Sequence, residues 1–345
     1  MAKKEENVNI EEELRRLKTS SPGRLYTLWG DELYLKSVYI DRLMSICLPN
    51  GDDGFSYKVF TEPEPDYQLL TEAVSMFPFL SERTVIELKG IDINKLKEPD
   101  RLLTILNDIP DYCTVIINLD ADYSPDSRTK VFKQLKSSGR EIHFSAQNKD
   151  LLFRWISQRF GKAGKSIGVE AAQRLVFLCG DLMTGLIPEI DKIIAYSKGP
   201  VVGIEDVNAA AVPLPEANVF EMTDYISKRE FKNAMSILNG LLENKDNEPI
   251  VLVAIIANQL RRLYAASIAI EKDLGVKFLV NTFSFRYDGI ARDLIRISRS
   301  FSKDRLKKFI RLCVQADYKL KSSTMDDSEI VRELVIRLMI DEKPA

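Results

Sequence analysis

Histidine is almost missing from this 345-residue sequence: His143, in the run REIHFSA, is the only one. That excludes any metal site or catalytic pair built from two imidazoles, and it leaves His143 as a strand residue with a satisfied ring. Cysteine is scarce too. Cys47, Cys113, Cys179 and Cys313 lie far apart, without the C-x-x-C spacing of a zinc site and too few for a disulfide scaffold. A reduced, cytoplasmic setting fits best. Long apolar runs are also lacking. IVLVAIIA is the longest, at eight residues, against the roughly 20 that span a bilayer. The opening MAKKEENVNIEEELRRLKTS is charged with both signs and has no signal core, so no membrane partner is expected. Net charge is small as well, with 49 Lys and Arg nearly balancing 51 Asp and Glu. A polyanionic partner would have to be met by a local basic patch.

What is present is ordinary globular composition, 45% hydrophobic and 29% charged, in a chain long enough for two or three domains. Residues 24–145 alternate β-rich runs (RLYTLW, FSYKVF, RTVIEL, CTVIINL, EIHFSA) with helical patterns near 33–47, 66–77, 98–108 and 127–138. That alternation predicts a parallel sheet with helices on both faces. TVIINL is apolar throughout most of its length, as a strand covered on both faces should be. After SAQNKD only helical patterns follow: LLFRWISQRF, VEAAQRLVFLCG with Gly180 as its stop, and IPEIDKIIAYS. VPLPEAN reads as a linker. Beyond it, Phe231, Ala234, Met235, Leu238, Leu241 and Leu242, and later Leu306, Phe309, Ile310, Cys313, Ala316 and Leu320, form helical stripes. The expected architecture is an N-terminal extension (1–20), an α/β domain (21–146), a helical lid (147–212) and a C-terminal helical bundle (213–345).

The stretch GDELYLKS follows the first strand and opens a helix, where a phosphate loop would read G-x-x-x-x-G-K-[ST]. Gly30, Lys36 and Ser37 stand at the right offsets, but Leu35 replaces the second glycine. A phosphate loop needs bare backbone that can close on the ligand. Asp31 and Glu32 would each oppose a phosphate by roughly 3 kcal/mol at about 5 Å and an effective dielectric near 20. They fit better as first-turn acids facing the helix dipole. The metal-binding half is no better: in TVIELKGID, Glu87 lies inside the strand, Lys89 follows it and Asp92 is displaced. The Lys36–Ser37 pair is a coincidence or a remnant, and no cofactor or metal is implied.

Seven segments, in order, resemble the delta subunit of bacterial DNA polymerase III, a clamp-loader subunit of the AAA+ class. LWGDELYLKSVYIDRL is similar to that family's G-[DE]-E-x-Y-L start, FPFLSERTVIELKG to its S-E-R strand, and GDLMTGLIPEIDKIIAY to its G-D-L helix. GIEDVNAAA, NVFEMTDYI, ANQLRRLY and ADYKLKSS continue the match, which covers nearly everything after residue 20. Met183 stands where relatives often carry an arginine. Gly185 and Pro188 predict a helix that is kinked or begins near Pro188.

The resemblance implies a non-catalytic subunit with an AAA+-like α/β domain, a lid and a collar. It would bind the sliding clamp and open it for loading onto primed DNA, with sister subunits supplying ATP hydrolysis. The family's clamp-binding element falls on LLTEAVSMFPFLSER. Leu70, Ala73, Val74 and Phe77 are spaced as a core stripe, so Phe79 and Leu80, beyond Pro78, are the expected apolar contact pair. A different gap placement gives Met76 and Phe77. Arg261 and Arg262, with Arg292, Arg296 and Arg299 on one helical face, are candidate DNA contacts. They read equally as a solvated face or a subunit interface. The alternatives are an active P-loop or AAA+ NTPase with an atypical loop, another clamp-loader subunit such as the delta-prime type, or a scaffold outside replication. A delta-prime subunit would carry a zinc-binding cysteine cluster and S-R-C, whereas DSRTK has Ser127 and Arg128 followed by Thr129.

Overall fold

A computed structural model describes residues 10–19, 21–121, 123–285 and 288–340. Packing divides the chain into two units, one running to Gln147 and including Asp181–Ile187, the other comprising Asn148–Gly180 and the residues from Pro188 onward.

The first unit is built on α1 (Ile10–Thr19), β1 (Leu25–Trp29), α2 (Leu33–Cys47), β2 (Tyr57–Phe60), α3 (Tyr67–Ser75), β3 (Thr84–Lys89), α4 (Pro99–Asn107), β4 (Cys113–Asn118), α5 (Lys130–Ser138) and β5 (Arg140–His143). The five strands form one sheet in the order β2-β3-β4-β1-β5, parallel throughout. Alternate strand residues feed two cores. Leu25, Ile86, Leu88, Val115 and Ile117 pack with Leu70 and Val74 of α3, Leu102 of α4 and Phe132 of α5. Tyr26, Leu28, Val85, Ile116 and Ile142 pack on the other face with Tyr39 and Leu43 of α2. The parallel α/β class expected from the sequence is what the chain forms.

Residues 1–9 and 20 of the expected extension lie outside the described residues. The part that is described is α1, whose Ile10 and Leu17 join the second core. Its Glu13 carboxylate accepts both Nε and Nη2 of Arg140 on β5. His143 stacks on Trp29 in the neighbouring strand, the ring centroids 3.7 Å apart.

The second unit contains α6 (Lys149–Lys162), β6 (Ser166–Ile167), α7 (Val169–Cys179), most of α8 (Met183–Tyr196), β7 (Val201–Val202) and α9 (Ile204–Ala210). It continues through α10 (Pro215–Ser227), α11 (Phe231–Glu243), α12 (Pro249–Glu271), α13 (Gly275–Phe283), α14 (Asp288–Ser298), α15 (Lys303–Ser322) and α16 (Asp327–Met339). The expectation of helices alone after residue 147 needs correction, because β6 and β7 pair in parallel. Two-residue strands are too short to leave a period in the sequence. Gly180 does end α7, at φ 82°. Helix α8 starts at Met183 and carries Pro188 inside it, so it does not begin near Pro188. The linker expected at VPLPEAN is shorter than read, since Pro215 is already the first residue of α10.

Helix α12 is the axis of the bundle, packed by α10, α14, α15 and α16. Among the described residues it is the one helix long and apolar enough to cross a membrane. Leu252, Ile256, Leu260, Leu263 and Ala266 along its length are buried in the bundle core. All four cysteines are buried as free thiols.

Candidate functional site

Two places in the first unit carry the sequence-predicted residues, and they lie at opposite ends of the sheet. The Gly30–Ser37 segment follows the C-terminal end of β1, whereas Met76–Leu80 precedes the N-terminal end of β3. In a parallel sheet the C-terminal and N-terminal ends of the strands lie at opposite ends.

At the first place the backbone is already committed. A phosphate loop works through amides left free to converge on oxygen. Here the Glu32 amide donates to the Phe144 carbonyl (2.9 Å) and the Leu33 amide to Asp31 (3.0 Å). The Tyr34 amide donates to Thr184 Oγ1 (3.0 Å). Gly30, at φ 114°, is glycine because a Cβ there would lie 2.4 Å from the Phe144 carbonyl oxygen. Glu32 is buried, and its Oε2 accepts the Met183 amide (3.0 Å). Leu35 packs into the core beneath α2.

Lys36 is buried as well, and its ammonium donates to the Leu119 carbonyl just past β4. Burial pushes its pKa below the ordinary lysine value, against the opposing pull of Asp120 and Glu87. Ser37 Oγ donates back to the Tyr34 carbonyl (3.0 Å). A shallow depression of about 350 Å³ remains beside Lys36, Ser37, Lys89, Asn118 and Asp120. The acids of the metal-binding half are also engaged. Buried Glu87 accepts the Tyr57 hydroxyl and Asn118 Nδ2 (2.8 Å), and forms an ion pair with Lys89 at 3.6 Å. Asp92 accepts the Tyr123 hydroxyl (2.8 Å).

At the second place the structure exposes what the core stripe was expected to hide. Leu70, Ala73 and Val74 are buried, but Phe77 is 73% exposed. Helix α3 ends at Ser75, with Met76 already extended at ψ 123°, so the helical period does not reach Phe77. Pro78 disfavours helical backbone in the residue before it. Tyr112, in the loop before β4, completes the stop: its hydroxyl donates to the Ser75 carbonyl (3.1 Å), and its ring meets Phe77 edge-on at 5.0 Å. Beyond Pro78, Phe79 is 83% exposed and Leu80 60%. Met76 is half-buried. Ser81 Oγ sits 2.6 Å from both Ser56 Oγ and the Arg83 carbonyl, which ties the segment to the loop before β2.

The five candidate arginines belong to the second unit and do not form one basic surface. Arg296 is taken by Asp224 (2.7 Å) and Asp293 (3.1 Å). Arg262 lies over the Phe283 and Phe285 rings at 6.0 and 5.6 Å, and burial lowers its pKa. Arg292 pairs loosely with Asp288 at 3.6 Å, and Arg261 bonds Asn258. Arg299 directly follows the last residue of α14, and its amide still donates to the Ile295 carbonyl (3.3 Å) in the helical pattern. The aromatic-flanked Arg286 and Tyr287 lie outside the described residues. A depression of about 490 Å³ beside Arg296 is lined by both signs, including Glu170, Arg174, Glu221 and Asp224.

Two family models match this chain. One, described as DNA polymerase III, delta subunit, matches residues 26–145, and the other, its C-terminal domain, matches residues 216–338. The chain belongs to the DNA polymerase III delta subunit family. The DNA polymerase III subunit delta of Bacillus subtilis is 24% identical over 94% of this chain and 95% of its own length. The probable counterpart from Aquifex aeolicus is 21% identical over 90% of each. In structure, the Bacillus subtilis DNA clamp loader delta protein aligns with 96% of this chain and 99% of its own, at a TM-score of 0.55 and 22% identity. These matches bear out the resemblance read from the seven segments.

Sequence reasoning passed over two residues near the apolar segment. Tyr112 fixes its start, and Phe55, 62% exposed, tips the neighbouring loop. The strand run FSYKVF places Phe55 inside a strand, whereas β2 starts at Tyr57, and Tyr112 stands just before CTVIINL with no period to mark it.

Proposed function

We propose that this chain is the clamp-engaging subunit of a clamp loader, and that Phe79 and Leu80 are the side chains that enter the sliding clamp. The observation that carries this reading is their exposure. Two large apolar side chains project from a short segment pinned at both ends, by Tyr112 at Ser75 and by Ser81 at Ser56. A segment held this way loses little entropy on binding. Burial of each side chain contributes roughly 1.5–3 kcal/mol, which suffices for a compact hot spot. If the pocket on the clamp is accessible only when one ring interface is strained or open, the same contact shifts the ring toward its open form. Met76 and Phe77 flank the pair, with Phe77 braced by Tyr112.

In this reading the chain hydrolyses no ATP and acts as an accessory subunit beside sister subunits that do. The committed amides at Glu32, Leu33 and Tyr34 and the inward-turned Lys36 support it. The same reading carries a three-domain plan of α/β domain, lid and collar, and a cytoplasmic location. Exposed Arg261, Arg292 and Arg299 remain the candidates for contact with primed DNA, since Arg262 and Arg296 are engaged within the chain.

The test is the double variant Phe79→Ala, Leu80→Ala, measured against immobilised sliding clamp from the same organism. Affinity should fall by roughly a hundredfold or more, with far-UV circular dichroism and thermal midpoint unchanged. Unaltered affinity in the folded double variant would sink the assignment.

A further inference from the structure

The loop before β2 is as tightly organised as the segment before β3, and its tip is also an exposed aromatic. Asp53 Oδ1 accepts the amides of Phe55 (2.8 Å) and Ser56 (2.7 Å), and its Oδ2 accepts the Ser56 hydroxyl (2.7 Å). The Ser56 hydroxyl bond, with the Phe55 amide next, holds the Asp53 carboxyl below the usual range. Gly54 turns the chain at φ 78°. Ser56 itself is buried; its carbonyl accepts the Val85 amide (2.7 Å). The result is a pre-shaped loop whose Phe55 side chain remains 62% exposed and belongs to neither core of its unit. A single exposed aromatic is ordinary on a protein surface; what sets Phe55 apart is its place beside the Phe79 and Leu80 segment.

Its position gives the partner. Strands β2 and β3 are parallel neighbours, with Tyr57 opposite Val85, so the loops entering them open at the same end of the sheet. The Ser56–Ser81 contact joins the two loops directly. We infer that Phe55 is a second anchor for the protein surface that receives Phe79 and Leu80, which makes the docking element two loops rather than one. This rests on the reading of Phe79 and Leu80 given above. The occupant is an apolar pocket on the clamp and not nucleic acid. Asp52, Asp53 and Glu82 stand beside these tips in sequence, and carboxylates there oppose a phosphate backbone.

The test uses the full-length chain and the sliding clamp of its own organism, with dissociation constants from surface plasmon resonance. Phe55→Ala should weaken binding about tenfold, which corresponds to about 1.4 kcal/mol. Phe55→Leu should recover most of the loss, and the thermal midpoint of both variants should match the parent. Affinity within twofold of the parent for Phe55→Ala, alongside lost binding for Phe79→Ala with Leu80→Ala, overturns the second anchor and leaves the first in place. Parental affinity in the double variant overturns both. Phe55→Lys, which adds charge without removing any core contact, provides the second folded probe and should weaken binding at least as much as Phe55→Ala. Parental affinity in Phe55→Lys likewise refutes the second anchor.

Discussion

Replacing Lys36 separates a nucleotide-binding lysine from a packing lysine, because the two predict opposite phenotypes. Lys36→Met keeps the aliphatic stem and its burial, so the apolar contribution nearly cancels. What is lost is the charge-assisted hydrogen bond to the Leu119 carbonyl, worth about 1.5–3 kcal/mol. Relief from burying an ammonium offsets part of that. The net cost should be about 1–2 kcal/mol, or roughly 2–8 °C in the midpoint of a unit this size.

The pH dependence has a definite sign. The folded-state pKa of Lys36 lies below its unfolded value, so between the two the unfolded chain binds more protons. Stability from this residue therefore rises with pH across the window that opens at the depressed value and closes near 10.5. The parent should gain on Lys36→Met through that window and run parallel to it below. Urea titrations of both proteins at several pH values measure this, and isothermal calorimetry with Mg-ATP measures the alternative. Saturable ATP binding by the parent, lost in Lys36→Met with no change in stability, would refute the reasoning.

Two further outcomes follow from the same physics. Glu13→Ala leaves the Arg140 guanidinium without its carboxylate; with that side chain 35% exposed, the cost should be about 1–3 kcal/mol by denaturant unfolding, and a parental midpoint would mean that α1 is not held by this pair. Burial pushes the Cys179 and Cys313 thiols up to about 12, so at pH 8 a disulfide reagent should label neither until denaturant is added, and rapid labelling of the native chain would contradict the packing.

Much of this was legible because it depends on local pattern. The helix read at 33–47 is α2, and the five strand runs are the five strands of the main sheet. Other features depended on contacts that no local window holds. Phe77 has core spacing, yet it is exposed because Tyr112, 35 positions away, binds the end of α3 while Pro78 blocks its continuation. Arg296 has the look of a free surface cation, yet Asp224, 72 positions earlier, claims it. The β6–β7 pair is too short to carry a period at all.

The sequence by itself determined the alternation that makes a parallel sheet, the family, and the departure from a phosphate loop at Leu35, since these follow from residue types at fixed spacing. Only the tertiary structure decided that Lys36 turns inward to Leu119, that Phe79 and Leu80 project from a pinned segment, and that Phe55 enters from the loop beside them. Exposure is set by what the rest of the fold leaves uncovered, and that is a property of strands and loops brought together from distant parts of the chain.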